Sequence, residues 1–482
     1  MRKKHTYLLA TVLIAISSSS LSAEVLYHII DLGTGEAYSI NNSGQIVGST
    51  ETSDPYDWGC QPVLFDRTGS GKSVYLAPNE HGYAMSINTI GQITGYTCRH
   101  YDEDERATLF DTTGEGNNID LRTPSEWVSK AFSINNMGQV VGLTKLEELP
   151  MPPEQPSLIC YATLFDPTGN GNHKNLGTPG VLWSEAYSIN NKGQIVGYSD
   201  NRATLFDSTG GRNNINLGTL PGGSDSYAVS INDRGQIVGG AYDSSGKFRA
   251  MLFDSNGTGH NIDLGTLAGT DESCAYCINN AGQIVGTSYT LYSNDCRATL
   301  FDPTGGGNNI NLNDVIPPTP VWKLMEARYI NDSGWIVGHG KNPNGEYNAF
   351  LLIPVSENDL TLTIKVEPND VGIDTITPSL GEHKYLKGRA VDLQTKLFKK
   401  CPDVYHFDHW EGDVVDPNSP ITTVIMDKDK IITAVFIAAE RICGDECHPI
   451  LQGDLNRDCY VNFADFVIYA DQWLACTHPD CD

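Results

Sequence analysis

AYSINNSGQIVG, from Ala37 to Gly48, is the first of seven copies of one stretch. The others are AMSINTIGQITG from Ala84, AFSINNMGQVVG from Ala131, AYSINNKGQIVG from Ala186, AVSINDRGQIVG from Ala228, AYCINNAGQIVG from Ala275 and ARYINDSGWIVG from Ala327. The turn glycines Gly44, Gly91, Gly138, Gly193, Gly235, Gly282 and Gly334 are spaced 47, 47, 55, 42, 47 and 52 residues apart. A fixed period of this size marks a repeat architecture. Within each copy two short apolar runs flank an Asn-x-Gly link, whose glycine can take the positive φ that a tight hairpin needs. Each copy therefore reads as a β-hairpin.

Beyond each hairpin lies a second pair of runs joined by a glycine-rich turn, as in RATLFDTTGEGNNIDL from Arg106 and RATLFDPTGGGNNINL from Arg297. Each period thus holds four strands of about five or six residues and leaves no room for a helix. Four antiparallel strands repeated radially describe a propeller blade. The seventh copy stops after a third strand, Asn348 to Leu352, while YHIIDLGT, Tyr27 to Thr34, precedes the first hairpin and matches the fourth-strand pattern NINLGT. A ring would use that N-terminal strand to complete the last blade, whereas a solenoid would leave edges needing caps. The expectation is an all-β chain: a seven-bladed β-propeller closed by its N-terminal strand.

The stretch NLGTLPGGSDSYAVSINDRGQIVG, from Asn216, resembles the extracellular HAF repeats. The likeness runs from Tyr27 to Pro354, with Arg-Ala-Thr-Leu-Phe where that family has His-Ala-Phe. It implies a secreted or surface protein and no reaction. The hairpin turns and the Asp-x-Thr-Gly turns share one face, and the links from second to third strand emerge on the other, where their sequences vary. Function tends to sit on such loops, which makes Tyr56, Trp58, His100, Tyr101 and Trp127 the candidate ligand contacts. Trp335, which replaces the usual glutamine, reads as packing between blades.

MRKKH followed by an apolar run and small residues reads as a secretory signal peptide ending at Ala23. Its removal takes Arg2, Lys3 and Lys4 away and moves the formal net charge from −27 to −30. Such an excess repels phosphate backbones and argues against nucleic acid as a partner. No later stretch is long and apolar enough for a membrane span. Export to an oxidising compartment, with twelve cysteines, predicts disulfides: Cys60 with Cys98 and Cys274 with Cys296, and a separate cluster among Cys443, Cys447, Cys459, Cys476 and Cys481.

From Leu360 the period is lost. LTLTIKVEPNDVG, YHFDHWEGDVV and ITTVIMDKDKIITAVF resemble an internalin B-repeat domain, small and β-grasp-like, with Phe407 and Trp410 as core residues. From Gly453, GDLNRDCYVNFADFVIYADQWL places Asp454, Asn456, Asp458, the Tyr460 carbonyl, Asn462 and Asp465 at positions 1, 3, 5, 7, 9 and 12 of a calcium loop. The stretch resembles half of a type I dockerin, which implies one Ca²⁺ and a cohesin-like partner; Cys459 stands where a loop glycine is usual, and the second loop is missing. The resulting division is 1–23 signal peptide, 24–355 propeller, 356–438 internalin-like domain and 439–482 dockerin-like module.

No serine elbow or metal-binding histidine pair is present, and no repeat position breaks the symmetry as a single active site would. The sequence therefore favours a secreted, non-enzymatic binding or scaffold protein recognising carbohydrate or a surface protein. The alternative is an extracellular polysaccharide-active enzyme, a glycosidase or lyase, assembling carboxylates such as Asp102, Glu103 and Asp104 across loops.

Overall fold

The computed structural model describes residues 26–51, 59–98, 105–122, 128–147, 158–356, 359–368, 376–395, 398–400, 403–438 and 452–474, less positions 179, 212, 294, 319, 454 and 457–460. The chain divides into two compact units between Pro354 and Val355. The first is all-β and propeller-like, a series of four-stranded antiparallel sheets.

Each sheet follows from the repeat. In the first, Glu36–Ile40, Ile46–Glu51, Cys60–Phe65 and Val74–Tyr75 lie side by side in chain order. Five further sheets repeat that order. Another is composed of Lys323–Ile330, Ile336–Lys341, Tyr347–Pro354 and the N-terminal strand Tyr27–Thr34. There Ile29 lies opposite Leu352 and Ile30 opposite Leu351. Alternation sends one set of side chains to each neighbouring sheet. Val47 and Leu76 of the first sheet accordingly meet Ala84, Ile87, Ile93 and Phe110 of the second. Leu32, Val337, Ala349 and Leu351 meet Ala37, Ile40, Ile46 and Phe65 in the same way, with Trp335 packed against that core.

The glycine after Ile-Val is fixed by close approach. A Cβ at Gly48 would lie 1.9 Å from the Glu36 carbonyl oxygen of the adjacent strand. The fourth strands are shorter than the repeat pattern suggests, with two residues in Ile215–Asn216 and Ile310–Asn311. The glycine turn before them is closed by side chains instead. Asp302 accepts from the backbone N–H of Thr304 (2.9 Å) and from its hydroxyl (2.7 Å). The amide of Asn309 then reaches the Leu264 carbonyl of the preceding sheet at 2.8 Å.

In the second unit Leu360–Glu367 runs parallel to Lys430–Ala438 within a five-stranded sheet, and a three-stranded sheet shares its core. Trp410 is the centre of that core, 1% exposed, with its indole N–H donated to the Ser419 carbonyl at 3.0 Å. Phe407 packs beside it. The helix Phe463–Leu474 follows. Among the described residues no helix is long and apolar enough to cross a membrane.

Candidate functional site

The loop residues Tyr56, Trp58, His100, Tyr101 and Trp127, and the carboxylates Asp102, Glu103 and Asp104, lie outside the described residues. So do Asp454, Asp458 and Tyr460 of the calcium loop. Its other members are placed. The Asp465 carboxylate accepts the backbone N–H groups of Leu455 (2.7 Å), Asn456 (3.2 Å) and Asn462 (2.9 Å), and hydrogen bonds of this kind, that of Asn462 foremost, lower its pKa. Asn462 caps the helix through the Ala464 N–H at 2.7 Å.

The predicted disulfides are corrected. Cys60, Cys274 and Cys296 are free, as are Cys160 and Cys277. Cys274 and Cys296 lie on Glu272–Ile278 and Cys296–Phe301, with Ile284–Tyr289 between them. Two strand spacings amount to roughly 9 to 10 Å, beyond the roughly 7 Å that a disulfide can span. Cys60 is paired opposite Glu51 in one sheet and Cys98 opposite His81 in another. The five C-terminal cysteines fall outside the described residues.

The first strands of seven sheets meet around one polar cavity of about 180 Å³. Its wall is made by the asparagine that ends each Ser-Ile-Asn or Tyr-Ile-Asn run. The Asn41 amide donates to the Asn88 carbonyl, Asn88 to Asn135, Asn135 to Asn190, Asn190 to Asn232, Asn232 to Asn279, Asn279 to Asn331, and Asn331 back to Asn41, all at 2.9 to 3.1 Å. The sequence pattern presented these asparagines as turn residues alone. A second tier carries two carboxylates, Asp233 and Asp332, bridged by the Asn280 amide at 3.3 and 3.1 Å. Every ring amide is thereby committed to holding sheets together.

On the first and second strands of the same sheets, away from that ring, the symmetry breaks. The residue after the alanine of each copy is uncharged six times, but in ARYINDSG it is Arg328. The residue after the Ile-Val-Gly glycine is His339 in that copy and histidine in no other. The two meet. Arg328 Nη2 is 2.8 Å from Glu326 Oε2 and 3.8 Å from Glu36 Oε2, and His339 Nδ1 is 3.9 Å from that same Glu36 oxygen. The guanidinium lies over the Tyr276 ring (4.7 Å) and near that of Tyr38 (6.0 Å). Burial works against its charge, but the surrounding Tyr276, Glu326, Glu36 and Tyr38 outweigh it, and the arginine pKa stands above its usual value. Burial likewise raises the phenols of Tyr38 and Tyr276, which keeps both protonated as donors.

Three atoms in this cluster are buried without a hydrogen bond: Arg328 Nε, His339 Nδ1 and Glu326 Oε2, the last at ion-pair distance but off the line of a hydrogen bond. Unsatisfied buried polar atoms each cost about 1 to 3 kcal/mol and are rare. Arg328 Nε and His339 Nδ1 meet no hydrogen-bond partner among the described protein atoms, so a ligand can supply one. The expectation that no position breaks the repeat symmetry is corrected by Arg328 and His339.

No known protein family and no curated protein matches this sequence. Among solved structures the chain is similar to XC5397, a gluconolactonase of Xanthomonas campestris, with 11% identity and a TM-score of 0.35 over 70% of this chain and 94% of that one. The expectation of a non-enzymatic scaffold is corrected by the asymmetric charged cluster of Arg328, His339, Glu36 and Glu326. A likeness at this level gives this chain neither a substrate nor a reaction.

Proposed function

We propose that this chain is an exported polysaccharide-active enzyme, a glycoside hydrolase whose carboxylate pair is Glu36 and Glu326. Glycosidic cleavage needs two carboxyl groups roughly 5 to 9.5 Å apart, one protonating the leaving oxygen and the other attacking or activating water. Glu36 and Glu326 both reach the same guanidinium nitrogen, so they face one small space. Glu326 makes the shorter contact to the guanidinium, at 2.8 Å. Glu36 makes the longer contact and is 38% exposed, which suits the carboxyl that meets the leaving group.

The observation that carries this reading is the meeting of Arg328 and His339, each peculiar to the seventh copy, with a glutamate from the first. Their meeting follows from a seven-bladed ring closed by the N-terminal strand, a reading supported by the pairing of Tyr27–Thr34 with Tyr347–Pro354 and by the unbroken asparagine cycle. The signal-like N-terminus supports export, and the likenesses to HAF repeats, an internalin B-repeat and half a dockerin support a surface-attached enzyme. Its terminal loop takes one Ca²⁺ and docks to a cohesin-like partner, with Asn456, Asn462 and Asp465 among the ligands.

A reducing-end assay of the full chain on a panel of plant, fungal and bacterial polysaccharides tests the reading. Cleavage of one of them is expected, falling by about 10² to 10⁴ in Glu36→Gln and Glu326→Gln. Absence of cleavage on the whole panel, or activity unchanged in both variants, would refute it.

A further inference from the structure

Resting on that reading, we infer that the cluster takes a neutral, hydroxyl-rich sugar and rejects uronates, so that the chemistry is hydrolysis and not the eliminative cleavage of a lyase. Charge is the first ground. Glu36 and Glu326 share one cation, Arg328. A lyase must neutralise the carboxylate of a uronate, and the guanidinium of this cluster, Arg328, is already held by two glutamates. A sugar carboxylate brought here meets the carboxyl groups of Glu36 and Glu326 before it meets a free cation.

Hydrogen-bond chemistry is the second ground. The atoms without a hydrogen bond include a donor, Arg328 Nε, an acceptor, Glu326 Oε2, which is ion-paired to Arg328, and the His339 Nδ1 atom, which is one or the other according to its tautomer. A hydroxyl both donates and accepts and so completes any of them, whereas a carboxylate can only accept. Because His339 is 9% exposed and the Glu36 side chain 38%, a sugar enters beside Glu36 and reaches His339 behind it. Tyr38 and Tyr276 supply ring surface beside the guanidinium for the apolar face of a pyranose. His339 is then a specificity residue: it meets the sugar, not the breaking bond.

Calorimetric titration of the full chain with gluco-, manno-, galacto- and xylo-oligosaccharides, and with oligogalacturonides of equal length, tests this directly. At low salt at least one neutral series is expected to bind at least tenfold more tightly than the uronate series. The gap should narrow at high salt, because the rejection is electrostatic. His339→Ala should weaken the neutral ligand at least fivefold, His339→Gln less, and Glu36→Gln should strengthen uronate binding. Uronates binding as well as neutral oligosaccharides, binding of neither class, or neutral binding indifferent to His339→Ala and Glu36→Gln would each overturn the inference. Neutral binding with these responses but without cleavage would uphold it while refuting the hydrolase, so the two failures remain separate.

Discussion

Asn331→Ala removes one of the hydrogen bonds that join the last inner strand to the first, the others running between Asp332 and Asn42. The side chain is 4% exposed and makes three bonds: its amide donates to the Asn41 carbonyl at 3.1 Å, and its oxygen accepts the N–H groups of Ser333 at 3.0 Å and Trp335 at 2.9 Å. At about 1 kcal/mol net for each bond, the substitution should cost about 3 kcal/mol. Asn232→Ala is the internal standard, because it breaks the same kind of link inside the chain order, Asn232 to Asn279 at 2.9 Å. It should cost about 1 kcal/mol more, since Asn232 also donates to Gln236 at 2.8 Å, and Trp335 offers Asn331 no such acceptor. Urea unfolding followed by far-UV circular dichroism gives both values. If Asn331→Ala lies within about 0.5 kcal/mol of the parent while Asn232→Ala costs several, the junction between the last and first sheets is not a sheet contact like the others. The closed ring would then be wrong.

A chain beginning at Ala37 lacks Tyr27–Thr34 and bares the edge of Tyr347–Pro354, where Phe350 and Leu352 are fully buried; it should be recovered mainly as aggregate, and a soluble, folded product would argue against the closure. Asp207, Asp254 and Asp302 are lowered from 3.8 to about 2, chiefly by the hydroxyls of Thr209, Thr258 and Thr304. Their folded pKa lies below the unfolded one, so the stability they add is present above pH 3.8 and lost as pH falls towards 2. Asp302→Asn should flatten that acid limb of a melting-temperature profile, and an unchanged limb would show that the turns do not contribute. Calcium should raise the melting temperature of the C-terminal module, as any ligand of the folded state does; Asp454→Ala with Asp458→Ala should abolish the rise, and no rise in the parent would remove the calcium assignment.

What the sequence made legible is what repeats. Hairpins can be read from Asn-x-Gly between apolar runs, and the N-terminal strand from its match to NINLGT, because both are local patterns recurring in register. The shortness of the fourth strands was hidden, since the Asp302–Asn309 turn is held by side chains reaching the neighbouring sheet, and such partners leave no mark on local periodicity. The cysteines failed for a related reason: alternation tells which end of a sheet a residue occupies, but register sets Cys274 and Cys296 two strands apart. The site was hardest of all. Arg328 is one mismatch in a degenerate repeat until Glu36, from the opposite end of the propeller sequence, is placed 3.8 Å away. A periodic chain advertises its scaffold and conceals its chemistry, because chemistry requires the departures that periodicity teaches one to discount. Where two departures in one copy, Arg328 and His339, converge on the same glutamate oxygen, drift is the weaker account: independent drift has no reason to place both around one point.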